Sequence, residues 1–244
     1  MRDYVIIPTY NERGNIAGLL ERVFSLYPAI HVLVVDDGSP DGTGQLVREL
    51  QQKYPNLELK ERSGKLGLAS AYLGAMKDVL AAHRDLHAIV TMDADFSHDP
   101  RAIKDLLAGL ASADLVVGSR YIPGGAIPDW SFYRRALSWG GNLYARIVTL
   151  SKMHDLTGGF NCYSASLLRR YDLENMGASG YGFQIEMKIV ARNFGARIRE
   201  IPITFRDRTE GDSKISNRII YEGLILPWRF SPLVVWVSRK ARSR

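Results

Sequence analysis

Hydrophobic residues fall into two alternating patterns along the first hundred positions. Short unbroken apolar runs alternate with stretches in which apolar residues recur every three or four positions. Tyr4-Val5-Ile6-Ile7-Pro8 is the first run, and Ile16, Leu19, Leu20, Val23 and Phe24 follow at helical spacing. Val32 to Val35 is the second run, followed by Leu46, Val47 and Leu50; Leu57 and Leu59 mark a short third strand. Leu68, Ala71, Tyr72, Ala75, Met76, Val79 and Leu80 share one helix face, and Ala88 to Met92 is a further run. Runs without polar alternation predict strands buried on both faces. The series β-α-β-α-β-α-β predicts an α/β chain with a mainly parallel sheet flanked by helices.

The second half continues with less regularity. Ile103, Leu106, Leu107 and Leu110 predict a helix, Asp114 to Gly118 a strand and Ser131 to Leu150 a long helix. Gly124 to Pro128 is expected to be a mobile loop, and Thr157-Gly158-Gly159-Phe160 a tight turn. Tyr181 to Glu186 leads into another helix, and Arg197 to Phe205 alternates as a strand does.

Open α/β sheets bind ligands at the carboxyl ends of their strands. Three such ends are rich in polar groups: Pro8 to Glu12, Asp36 to Asp41 and Asp93 to His98. The fourth run ends in Asp93-Ala94-Asp95. Paired carboxylates repel unless a cation lies beside them, and hard oxygen ligands suit Mg²⁺ or Mn²⁺. Mg²⁺ is usually shared between one or two carboxylates and substrate phosphates, so the pair implies a phosphorylated ligand. A plain alternative is that Asp93 opens a turn and Asp95 caps a helix. The absence of GxGxxG after the first strand and of GxxxxGK[ST] anywhere disfavours a dinucleotide-binding domain and a P-loop NTPase.

Composition adds two points. A single cysteine, Cys162, excludes a disulfide framework and a zinc cluster and fits a reducing compartment. The formal net charge of +6 resides in residues 195–244, which carry eleven Lys/Arg against five Asp/Glu. Anionic partners are therefore expected to meet the C-terminal part. Ile225 to Val237 is apolar apart from Arg229, Ser231 and two prolines, holds Trp228 and Trp236, and precedes Arg239, Lys240, Arg242 and Arg244. No stretch reaches the ~18 apolar residues that span a bilayer, and the N-terminus has no apolar signal region. Trp beside a basic cluster suits an anionic membrane surface, so this segment is expected to lie in the interface. The plain alternative is a C-terminal element docked on the core. Trp and Pro in place of a recognised binding module argue against a nucleic-acid partner.

Seven blocks in order resemble the GT-A family 2 glycosyltransferases, and among them the dolichol- or polyprenol-phosphate mannosyltransferases. They are Ile7-Pro8-Thr9-Tyr10-Asn11-Glu12, Val35 to Thr43, Met92 to His98, Gly118-Ser119-Arg120-Tyr121, Asp155 to Phe160, Tyr181 to Met187 and Arg208 to Lys214. The resemblance implies a GT-A catalytic domain over residues 1–214 and an amphipathic basic segment over 215–244. It implies a nucleotide sugar donor, most often GDP-mannose, and a polyprenyl or dolichyl phosphate acceptor. Pro8, Tyr10, Glu12, Val35 and Asp37 would then surround the base and ribose. Asp93 and Ala94 would contact the donor, and Asp95 would hold Mg²⁺ or Mn²⁺. Ser97 stands where some relatives place a further metal-binding Gln. Arg120, Arg208 and Lys214 would contact the diphosphate or the acceptor phosphate, completing a catalytic set with Asp95. The expected place is the cytoplasmic side of a membrane, held peripherally; a small membrane-protein partner is the alternative anchor.

A lipid monophosphate is already anionic near neutral pH, its second pKa being about 6 by analogy with phosphorylated side chains. It can attack without the general base that a hydroxyl acceptor needs, and in-line attack inverts the sugar. Glu186 is the contrary candidate for a base, and His98 reads as a turn or supporting residue. The alternatives are UDP-glucose or another nucleotide sugar as donor, a hydroxyl acceptor, and a nucleotide-sugar binder without turnover. Truncation after Leu224 is expected to reduce liposome binding more than nucleotide affinity. Equal flotation with and without the segment would contradict the interfacial reading.

Overall fold

The structure is a computed structural model that describes residues 1–177, 182–207, 225 and 227–231. Seven strands form one sheet: β1 (Arg2–Thr9), β2 (His31–Asp36), β3 (Leu57–Glu61), β4 (Leu86–Thr91), β5 (Leu115–Ser119), β6 (Asn161–Ser164) and β7 (Ile198–Pro202). Their spatial order is β3-β2-β1-β4-β6-β5-β7. β6 runs antiparallel to β4 and β5, and every other pairing is parallel. The expected mainly parallel α/β sheet is therefore present.

The helices are α1 (Arg13–Leu26), α2 (Thr43–Leu50), α3 (Leu68–Ala82), α4 (Ile103–Gly109), α5 (Phe132–Thr149), α6 (Ala165–Leu168) and α7 (Gly182–Asn193). Alternate residues of each strand feed opposite faces of the sheet. Val5, Ile7, Val32, Val34 and Val90 pack with residues of α1, α2 and α4. Tyr4, Ile6, Leu33, Val35 and Ile89 pack with α3, α6, α7 and Ala145 of α5. Both faces are covered, which is why these strands read as unbroken apolar runs.

The chain builds β1, β2 and β3 outward in one direction and then places β4 on the other side of β1. That reversal opens a crevice at the carboxyl ends of β1 and β4, where open α/β sheets bind ligands. Pro8 to Glu12 and Asp93 to His98 flank it.

Two sequence expectations change. β6 has no separate signature, being only four residues long and mixed in polarity. Gly124 to Pro128 is not a free loop: Ala126 bridges Thr204, donating its N–H to Ile203 O at 3.0 Å and accepting from Phe205 N at 2.8 Å. The 131–150 expectation holds, with the Ser131 hydroxyl capping α5 and Leu150 closing it in the left-handed conformation. Tyr181 and the boundary between residues 214 and 215 lie outside the described residues. Among the described residues, no helix is long and apolar enough to cross a membrane.

Candidate active site

The loops after β1 and β2 are stitched together. Asn11 N–H donates to Ser39 Oγ, Glu12 N–H to Thr43 Oγ1 and Arg13 N–H to Asp41 Oδ2, at 3.0 to 3.1 Å. Asp36, fully covered, accepts from the hydroxyls of Thr9 (2.9 Å) and Ser39 (2.6 Å). The two acidic residues after β2 thus part ways. Asp36 builds the turn, whereas Asp37 faces the 62–67 loop, accepting from Arg62 Nε at 2.6 Å and from the N–H groups of Leu66 and Gly67 at 3.1 Å each. Lys65 of that loop lies 4.3 Å over the Tyr10 ring. Val35 is buried under this corner, Pro8 is half-buried, and the Glu12 carboxylate accepts from Asn15 at 3.0 Å.

After β4 the backbone makes a tight turn. Phe96 adopts a left-handed φ of 60°, a conformation that costs a bulky residue on the order of 1–3 kcal/mol. Its ring packs on Gly18 of α1, where an added Cβ would sit 3.3 Å from Cζ. Asp95 is buried and accepts from Ser97 N–H at 3.1 Å, so it shapes its own turn instead of capping a helix; Asp99 caps the short 3₁₀ turn that follows. Ala94 is buried beside it. The Ser97 hydroxyl is buried without a hydrogen-bond partner among the described residues. His98 is buried and accepts the Asp93 N–H on Nδ1 at 3.0 Å, with its ring stacked on Phe160. Burial lowers the His98 pKa below its ordinary value, against the pull of Asp93 and Asp95. His98 is therefore a neutral strut that sets the direction of Asp93.

The opposite wall is the 155–160 loop. Asp155, with no exposure, binds Arg120 through both oxygens: Nε to Oδ2 at 2.7 Å and Nη2 to Oδ1 at 2.8 Å. Arg120 Nη2 also donates to Thr157 Oγ1 at 2.9 Å. Asn142 of α5 accepts from the N–H groups of Leu156 and Thr157 at 2.9 and 3.2 Å. Thr91 at the end of β4 donates to Gly159 O at 2.6 Å. A Cβ on Gly159 would lie 3.5 Å from Gln184 Nε2, 3.6 Å from His98 and 3.8 Å from Asp93 Oδ1. The 155–160 loop therefore runs beside Asp93 and His98, at a distance where a Cβ on Gly159 would make ordinary van der Waals contact. Burial pushes the Asp155 carboxyl up, but the Arg120 guanidinium and its hydrogen bonds outweigh it and hold the pKa below its ordinary value.

Around Arg120 lie aromatic faces: Tyr121, Phe205 and Trp130, with ring centroids 5.2, 5.4 and 6.0 Å from Cζ. Arg134 stacks on Trp130 at 4.0 Å and pairs with Asp207 at 2.8 Å. Trp130 Nε1 and Arg134 Nε are buried donors without a hydrogen-bond partner among the described residues. Sequence reasoning missed Trp130, Arg134, Asn142 and Lys188, because no motif marks them. Arg208 and Lys214 lie outside the described residues; Asp207, just before Arg208, is held against Arg134. Glu186 is buried in α7 and accepts from Gly177 N–H at 3.4 Å.

A carboxylate pair at the switch point of a mainly parallel sheet, beside a buried arginine, is an arrangement suited to a phosphorylated ligand. Residues 4–176 match Glycosyl transferase family 2, and the chain belongs to that family. It is 40% identical over 242 residues to undecaprenyl-phosphate mannosyltransferase of Micrococcus luteus, covering 99% of each chain. It is 43% identical over 225 residues to polyprenol monophosphomannose synthase of Mycolicibacterium smegmatis, covering 91% of this chain and 84% of that one. The fold is shared with glucosyl-3-phosphoglycerate synthase from Mycobacterium tuberculosis in complex with Mn²⁺, UDP-glucose and phosphoglyceric acid. That likeness has a TM-score of 0.65 at 19% identity and covers 93% of this chain and 79% of the other.

Replacing Asp155 by Asn keeps the shape and leaves the Arg120 charge buried without its counter-charge. Denaturant unfolding at pH 7 is expected to show a loss of about 3–5 kcal/mol. A carboxyl depressed in the folded state contributes stability above its unfolded pKa of about 3.9 and loses it as pH falls through the folded value. The gap between wild type and Asp155→Asn should therefore narrow below about pH 4. An unchanged unfolding midpoint at pH 7 would contradict the pairing.

Proposed function

We propose that the protein transfers mannose from GDP-mannose to a polyprenyl (dolichyl-type) monophosphate with inversion, giving polyprenyl-phosphate β-mannose. The observation that carries this reading is the end-to-end match with the undecaprenyl-phosphate mannosyltransferase, 99% of each chain. The matched region includes every described element of the site.

The donor set after β4 fits a divalent ion. Asp93, Asp95 and Ser97 offer only hard oxygens, and the buried Ser97 hydroxyl has no other partner among the described residues. These three residues would hold Mg²⁺ or Mn²⁺, with Asp95 as the main ligand. When bound, the ion neutralises charge that develops on the leaving nucleoside diphosphate. Tyr10, Glu12 and Asp37 place the nucleoside at the β1 and β2 ends, with Pro8 and Val35 forming the floor. Arg120 carries positive charge into a water-poor wall, where such charge stabilises a departing phosphate far better than in water. Arg208 and Lys214, which lie outside the described residues, are expected from the sequence resemblance to contact the diphosphate or the acceptor phosphate.

No side chain is needed to take a proton, because the attacking phosphate oxygen is already ionised. Two observations support this. His98 is buried with Nδ1 engaged by the Asp93 N–H. Glu186 is buried and oriented by the Gly177 N–H.

A lipid acceptor requires a seat at a membrane, and α5 offers one. Phe132, Trp139, Ile147 and Leu150 are 87%, 56%, 64% and 67% exposed. With half-buried Leu143 they fall on one stripe of the helix at 3.6 residues per turn, apart from the side of Asn142, Ala145, Val148 and Thr149, which face the core. An apolar stripe turned to solvent, bordered by Arg135 and Arg146, matches an interfacial helix on anionic lipid. Trp228 donates to Tyr144 at 2.7 Å, which ties the described part of the C-terminal segment to the same helix. We place the protein peripherally at the cytoplasmic face; its one cysteine is free and buried, as a reducing side allows.

Asp95→Asn is expected to cut glycolipid formation by at least roughly a hundredfold and to abolish dependence on added metal, with the melting temperature nearly unchanged. Retained metal-dependent turnover would remove the ligand assignment. The double substitution Phe132→Ser and Trp139→Ser is expected to release the protein from anionic liposomes. Transfer to a short, water-soluble acceptor should persist, and flotation equal to wild type would contradict the α5 seat.

A further inference from the structure

Lys188 is the buried cation of α7, a helix that also buries Gln184 and Glu186. Its neighbours Phe183, Ile185, Met187, Ile189 and Ala191 are buried apolar residues, and Lys188 itself has no exposure. Its ammonium donates to Gly158 O at 2.6 Å and to Leu156 O at 3.2 Å. Among the described residues it forms no ion pair. A buried charge without a paired carboxylate is expensive, and a neutral donor would satisfy both carbonyls. The position it occupies explains the charge.

The two carbonyls belong to the loop whose Gly159 lies beside Asp93. From the other side the same loop is held by Arg120 through Asp155 and Thr157. Arg120 and Asp155 cancel each other, so the buried set of three carries one net positive charge when Lys188 is protonated. That charge lies behind the wall, one residue from the part that lies beside Asp93.

We infer that Lys188 is a positioning residue for phosphate binding: it fixes the Gly158–Gly159 wall against Asp93 and gives the Arg120–Asp155–Lys188 set its net positive charge. It acts through the loop and does not touch substrate. The inference rests on the proposed reading only in taking the ligands to be phosphates. Burial brings the Lys188 ammonium from its ordinary value down to about 7, with Asp155 opposing, Arg120 adding to the drop and Glu200 opposing. Those are the charged groups that face it: Asp155 on the loop, Arg120 after β5 and Glu200 on β7. Its charge is thus removable within an assayable pH range.

The test is the affinity of the full-length protein for inorganic pyrophosphate, measured by calorimetry with Mn²⁺ from pH 6 to pH 9 for wild type and Lys188→Met. Wild type should bind about tenfold more tightly below pH 7, and the ratio should fall as pH rises past about 8 to the smaller remainder left by the lost loop contacts. A lysine that only packs the core would lower the melting temperature and leave a ratio independent of pH, and that result would overturn the inference. This readout needs neither sugar nor lipid, so it is separate from any failure of the proposed reaction. NMR titration of the Lys188 side chain in wild type needs no variant to fold. A midpoint near neutrality that rises when pyrophosphate binds supports the inference, as linkage demands; a midpoint unmoved by pyrophosphate overturns it.

Discussion

Asp155 and Arg120 are both withdrawn from water, and neither charge is tolerable there without the other. Their two-toothed pairing is the constraint from which the site follows. Arg120 ends β5, and Asp155 opens the loop that leads into β6. Because β6 runs antiparallel between β5 and β4, the pair anchors that loop beside the carboxyl end of β4. Asn142 clamps the loop from α5, Lys188 from α7 and Thr91 from β4. Gly159 is then the part of the loop that lies beside Asp93 and His98. The wall of the crevice is thus held from several elements at once, and the proposed phosphate-binding role would use that preorganisation, which is what electrostatic catalysis requires.

The same helix that clamps the loop carries the exposed apolar stripe. Asn142 reaches inward to Thr157, while Phe132, Trp139 and Ile147 point away from the core. One helix therefore separates the exposed apolar stripe, the proposed lipid seat, from the wall of the crevice. An acceptor whose phosphate must enter the site while its chain stays in a bilayer suits that arrangement.

Legibility in the sequence followed packing. Strands β1, β2 and β4 are buried on both faces, so their apolar runs stood out and their polar ends, Pro8 to Glu12, Asp36 to Asp41 and Asp93 to His98, marked the crevice. β6 was invisible because four residues with alternating duties, Asn161 bonding to Gln184 and Cys162 packing inward, make no periodic signal. Gly124 to Pro128 looked mobile from its glycines, yet bridging between Ala126 and Thr204 is a tertiary event no local pattern announces. Arg120 drew notice from its place in the Gly118–Tyr121 block, but its commitment to Asp155 was not legible, since the two are 35 positions apart. Lys188 reads as a surface charge interrupting an apolar helix face, and only the fold reveals which carbonyls surround it. The tail drew attention by its Trp and basic residues, whereas the stripe of α5 is apolar in sequence like a core-facing one, and only the fold shows that the core side is the one with Asn142, Ala145, Val148 and Thr149.

The central claim is the transfer of mannose to a lipid phosphate, and a product assay tests it most directly. Purified protein would be mixed with Mg²⁺ or Mn²⁺, a short polyprenyl phosphate, and GDP-mannose, UDP-glucose or UDP-GlcNAc in turn, with product read by mass and anomeric configuration by NMR. The account predicts β-linked polyprenyl-phosphate mannose from GDP-mannose alone. Glycolipid from a UDP sugar instead, or none from any donor while nucleotide still binds, would contradict it.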